Sequence, residues 1–95
     1  MKKVAVVIRD VKQQYEGLRV SLGALLDNVE IQMFVLNHEI QNMDEAYQDN
    51  MEFLDEMEGE RFTNNSANAE KYGFAHTTLK QAAQRLKAAD LIIPF

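Results

Sequence analysis

The segment "KVAVVI", Lys3 to Ile8, decides how this chain folds. Every position after Lys3 is apolar and most are β-branched, so the run has no polar side to turn toward water. A half-wet strand alternates, whereas an unbroken apolar run fits a strand covered on both faces. This segment is therefore expected to be a central strand, with the rest of the chain arranged around it.

Working outward, Gln14 to Asn28 places Leu18, Leu22, Leu25 and Leu26 at helical spacing. Gly17 and Gly23 weaken that helix intrinsically but allow close approach to a sheet. "VEIQMFVLN", Val29 to Asn37, starts with alternation and ends in a solid apolar run, which predicts a second strand. Asn42 and Glu45 form an Asn-x-x-Glu capping pattern, and Met43, Ala46, Tyr47, Met51, Leu54 and Met57 trace a helical face that stops at Gly59. Arg61 to Thr63 has room only for a brief strand, and Ala67 to Tyr72 for a short helix closed by Gly73. Thr78-x-x-Gln81 is a capping box; Leu79, Ala82, Ala83 and Leu86 form the expected buried stripe of a fourth helix, and "LIIPF" a last strand. Pro94 fits only near the end of that strand or on an edge. Alternating strands and helices with short loops predict one three-layer α/β/α domain over residues 1–95, with a small parallel sheet of about four strands.

Composition narrows the chemistry. The 95 residues carry a formal net charge of −5 and no cysteine. Disulfides, thiolate nucleophiles and persulfide carriage by the protein itself are excluded together. No Lys or Arg occurs from Val20 to Glu60, where Asp and Glu are dense. That balance argues against nucleic acid, which needs a basic face to displace counterions. An acidic helix is first of all a solvated surface. No apolar run has the length of a membrane span, and "MKKVAVVIRD" lacks the features of a signal peptide, so the expected setting is cytoplasmic with no membrane partner.

In open parallel sheets, ligands bind beyond the carboxyl ends of the strands. Here that rim would hold Asp10, Lys12, His38, Asn64, Asn65, Ser66, His76 and Thr78. Each has a structural reading beside a binding one: Asn65 or Ser66 can cap the short helix and Thr78 the last one, while amides at such a helix start can hold an anion. The histidines lack a third ligand at a diagnostic spacing, so no metal is expected. "RDVKQQYEG" carries neither GxGxxG nor GxxxxGK, so no nucleotide cofactor is expected, and none of another kind is indicated. An enzymatic reading would make His38 or His76 a general base, but no nucleophile or carboxylate partner stands at the required spacing, so no catalytic residue is assigned.

Taken together, "KVAVVIRD", "EGLRVSLGALL", "NNSANAEKYG" and "ADLIIPF" resemble, over nearly the whole chain, the DsrE/DsrF/DsrH-like family, which includes subunits of sulfur-transfer complexes. The resemblance implies a DsrE-like, flavodoxin-like sheet of order 3-2-1-4. It also implies a site: active members carry a persulfide cysteine typically eight residues before the glycine that ends the short helix. Counting back from Gly73 gives Asn65, with Asn64 the next candidate. The chain departs from the family there and again at "NHEI", where members often have a glycine-containing turn. The expectation is a cysteine-free, non-catalytic binding or assembly subunit that forms homo-oligomers, with other sulfur-relay subunits as further partners. The alternative is a flavodoxin-like binder of a small anionic metabolite at the same rim, unrelated to sulfur metabolism. Homo-oligomer formation is also expected because Ala46, Phe53 and Met57 make a second apolar stripe on the second helix.

Overall fold

The computed structural model describes residues 2–95. Its centre is β1, Lys3–Ile8, in which Val4 to Ile8 are all buried. A 3-10 turn at Val11–Gln13 leads into α1, Gln14–Leu25, followed by β2, Glu30–Val35, and α2, Glu45–Glu56. Then come β3, Glu60–Thr63, the short α3, Ser66–Tyr72, and a two-residue strand β4, Ala75–His76. Helix α4, Leu79–Lys87, and β5, Leu91–Pro94, complete the order. The sheet has five strands in the order β4-β3-β2-β1-β5, all neighbours parallel.

The α/β class, the parallel sheet and the internal position of β1 agree with the sequence reading; the strand count does not. β4 adds a fifth strand outside β3, where Phe62 pairs with Ala75 and Thr63 with His76. A two-residue edge strand needs only backbone pairing, so it leaves no side-chain pattern to read. Pro94 is both the last residue of its strand and on an edge strand, and its missing N–H is bypassed: the amide of Phe95 donates to the carbonyl of Val7 at 2.7 Å.

Other boundaries moved for local reasons. The cap of α2 is Asp44, whose carboxylate accepts the Tyr47 amide at 2.8 Å; the anticipated cap, Asn42, instead sits in the left-handed region at φ 54 as part of the approach to the helix. Helix α1 stops at Leu25, and the turn after it ends on Asn28 at φ 59, a conformation asparagine tolerates better than most residues. β2 stops two residues short of Asn37, which is also left-handed, at φ 68.

Side chains on the two faces of the sheet form separate cores. On one face Val4, Val6, Ile8, Ile31, Met33 and Val35 pack with Leu18 and Leu25 of α1 and with Tyr47, Met51 and Leu54 of α2. Gly17 lets α1 lie directly on β1: a Cβ there would fall 2.3 Å from Cδ1 of Ile8. On the other face Ala5, Val7, Phe34, Leu36 and Phe62 are covered by α4 alone. Here the expected buried stripe is corrected. Ala82 is buried and Leu86 half-buried, but Ala83 is exposed and Leu79 is 54% exposed. A helix is about 10 Å across, while five strands spaced about 4.8 Å apart span roughly 19 Å, so one nine-residue helix leaves open ground on either flank.

Candidate functional site

The rim beyond the carboxyl ends of β1, β2 and β3 is the place the sequence singles out. Its middle is a corner built from asparagines. Asn64 and Asn37 form a reciprocal pair: the Asn64 amide group donates to Oδ1 of Asn37 at 2.9 Å, and the Asn37 backbone N–H donates to Oδ1 of Asn64 at 2.8 Å. Asn68, fully buried on α3, accepts the Ile40 N–H at 2.9 Å and donates to the carbonyl of His38 and to the hydroxyl of Thr63. Asn65 caps α3, accepting the Asn68 amide at 3.1 Å, and Gly73 ends that helix in the left-handed region at φ 72. The loops after β2 and β3 are thus stitched together by side-chain amides, each of which offers a donor and an acceptor where two irregular backbones meet.

His38 belongs to the same corner. Its Nδ1 lies 3.0 Å from the carbonyl of Leu36, while Nε2 is buried without a hydrogen-bond partner. The remaining candidates are spread out. Asp10 caps the 3-10 turn through the Lys12 amide, and both side chains are exposed. Ser66 is exposed on the first turn of α3. Thr78 forms the capping box foreseen with Gln81, the two reciprocal bonds each measuring 3.1 Å. His76 is exposed on β4 and faces a different space altogether. Of the eight candidates, His38, Asn64 and Asn65 are brought together; among the described residues, no hydrogen bond joins Asp10, Lys12, Ser66, His76 or Thr78 to them.

The space His76 faces lies under one flank of α4. It is a groove of about 600 Å³, lined among others by Lys3, Gln32, Phe62, Gln81 and Arg85. Gln32 is buried on β2; its amide N–H donates to Glu60 at 3.2 Å and its Oε1 has no partner. Phe62 stacks on Phe34 at 5.1 Å and carries the Arg85 guanidinium on its free side at 4.4 Å. The other flank of α4 is a second groove, of about 340 Å³, and it is apolar: Val7, Leu36, Ala83, Leu86, Ile92 and Pro94 line it. Neither groove was anticipated, because the helical pattern of α4 announces an apolar face without stating how much sheet lies beneath it.

Two further groups escaped the sequence reading. Arg61 points from β3 toward α2, donating through Nε and Nη2 to the Asp55 carboxylate at 2.9 and 2.8 Å and through Nη1 to the carbonyl of Tyr72 at 2.7 Å, with Phe74 beneath it. Its only advance signal was a cation at an inward position of a short strand. Gln14 reaches the loop after β2, donating to the carbonyl of Gln41 and accepting its amide. The Asp44 cap is also secured from a distance: the Tyr15 hydroxyl hydrogen-bonds to it, which holds the Asp44 carboxyl below the usual carboxylate range and raises the Tyr15 hydroxyl. Tyr47 sits edge-on to Tyr15 at 5.1 Å; burial pushes its phenol well above the ordinary value, and its hydroxyl has no partner.

Among the described residues, no three His, Asp or Glu side chains gather to hold a metal ion, and no helix is long and apolar enough to cross a membrane. Compared with protein-family models, curated proteins and solved structures, the chain matches none of them. Its chemistry must be read from its own geometry.

Proposed function

We propose that this protein is a non-catalytic, self-assembling subunit related to the DsrE-like components of intracellular sulfur transfer, working in the cytoplasm as a binding or assembly element. The observation that supports this reading most is the state of the asparagine corner. Asn65 stands eight positions before Gly73, at the mouth of α3, and its side chain closes the first turn of that helix. Where the resemblance would put a carrier's thiol, this chain spends its side chains on holding two loops together. That arrangement keeps a family-like scaffold while removing the reactive group.

The test is the reactivity of a thiol placed at that position. Alkylation of Asn65→Cys, followed against pH with Asn64→Cys as a control for register, should give a pKa below the free-cysteine value of about 8.5 in the variant that matches the carrier position. Values at or above about 8.5 in both would remove the positional argument for a degenerate sulfur site.

A second reading draws on the groove under α4, which buried Gln32, with its unpartnered Oε1, lines together with Lys3 and Arg85. A small anion bearing a hydroxyl or amino donor would suit that groove better than the rim, whose amides are engaged with one another. Titration with small hydroxy acids and amino acids, read by chemical shifts of the Gln32 and Arg85 side chains, separates it from the first reading.

A further inference from the structure

Two exposed apolar patches of this molecule are edged with opposite charge. On α2, Ala46, Phe53 and Met57 face outward, with Phe53 45% and Met57 42% exposed. At 100° per residue, Asp49, Glu52 and Glu56 border this stripe along one side. On the opposite face of the sheet lies the apolar groove between α4 and β5, with Leu79 and Ile92 exposed at its mouth. Arg9 lines it, and the helical register puts Lys80 and Lys87 on the shoulder of α4 above Ala83. Of the nearest acids, Asp10 is engaged in its own cap and Asp90 is bonded to the Lys3 amide at 2.7 Å. One patch is an acidic-edged ridge and the other a basic-edged channel.

We propose that copies of this chain associate head to tail, the Phe53 and Met57 ridge of one copy lying in the α4–β5 groove of the next. This rests on the self-assembly put forward above and adds the surfaces and their polarity. The occupant is a second copy because the groove calls for an apolar stripe edged with carboxylates, and α2 is such a stripe, present at one per groove. A two-fold arrangement of groove on groove is disfavoured, since it would set Arg9, Lys80 and Lys87 against their own counterparts. A ridge and a groove on opposite faces cannot satisfy each other within one molecule. Contacts of this heterologous kind continue from copy to copy until a ring closes or a filament grows.

Charge exchange tests this directly. Wild-type protein in light scattering should show a mass that is a multiple of 10.9 kDa. The double variant Glu52→Lys/Glu56→Lys and the double variant Lys80→Glu/Lys87→Glu, all at exposed positions, should each fall to 10.9 kDa. Mixed in equal amounts they should again form multimers of 10.9 kDa units, in which the two variants alternate, because each then offers the ridge that fits the other's groove. As a measurement that leaves these charges intact, Phe53→Cys mixed with Ala83→Cys should form an intermolecular disulfide on oxidation, with no background from a chain that has no cysteine. A monomeric wild type would overturn both this arrangement and the self-assembly proposed above. An oligomer that ignores the charge changes and forms no 53–83 disulfide, or one that the mixture fails to restore, would overturn the docking mode alone and leave self-assembly standing.

Discussion

The two faces of the sheet are built to different standards. The face under α1, α2 and α3 is closed: Ile8, Leu18, Met33, Tyr47 and Leu54 are almost wholly removed from water, and Gly17, Gln14 and Arg61 fix the helices and loops against the strands. The face under α4 has one helix for the width of five strands, and only Ala82 of that helix is buried. Apolar area removed from water stabilises by about 25 cal/mol per Å², so the closed face carries most of the folding energy. The open face contributes less to the monomer and keeps apolar surface that can be buried later, against something else.

The sharpest way to break this contrast is to shorten one leucine on each face. Leu18→Ala should cost about 2–5 kcal/mol of unfolding free energy, the usual loss for a buried leucine in a packed core. Leu79→Ala on α4, more than half exposed, should change stability by no more than about 0.5 kcal/mol. Equal losses in denaturant titrations of the two would show that α4 is as firmly seated as α1. Next in size is Gly17→Ala, where the added methyl meets Ile8 and should cost about 1–3 kcal/mol by overpacking, although alanine favours helix. A stabilised variant would mean that α1 rides farther from β1 than described.

On the open face, α4 relies on its end more than on its seat. Thr78→Ala removes the capping box and should cost about 1 kcal/mol, with earlier hydrogen exchange throughout α4 while α1 amides are unchanged. An effect of the opposite sign is expected at Tyr47, buried on the closed face with an unpartnered hydroxyl. Tyr47→Phe should be neutral or stabilising by up to about 1 kcal/mol, because the polar atom being removed has nothing to lose. The same residue sets an alkaline limit. Its phenol is held neutral by burial, so its folded pKa lies above the unfolded value of 10.0. Its contribution is fully present below about pH 10 and is lost as the pH rises further, which Tyr47→Phe should abolish.

Most of the closed face is visible in the sequence because its determinants are local. The apolar run at Lys3–Ile8 identifies the central strand, Leu18 and Leu25 identify the packing face of α1, and Gly73 marks the end of α3, whereas Leu26, expected on the same stripe, lies past the helix end and is 74% exposed. What escapes depends on distant residues. Asp44 rather than Asn42 caps α2, and the Tyr15 hydroxyl that supports it is 29 positions away, so the spacing Asn-x-x-Glu misleads. The asparagine-rich stretch reads equally well as a binding loop or as structure until Asn37 and Asn68 are seen to complete its hydrogen bonds. Leu79, Ala82, Ala83 and Leu86 are properly spaced for burial, but spacing gives only a direction. How much is covered depends on the width of the sheet, which includes a strand with no pattern of its own.

The order of the sheet also governs when the fold can be completed. Val4 pairs with Leu91, so the second edge of β1 stays vacant until the last strand has been synthesised. Until then the most apolar strand of the chain has an open ladder on one side, while β2, followed outward by β3 and β4, occupies the other. Parallel pairings between segments so far apart are slow to form, because the intervening chain must be ordered before they gain anything. Until Leu91–Pro94 pairs with it, the core strand is open to pairing with the wrong partner, the kind of exposed edge that makes a folding intermediate prone to aggregate.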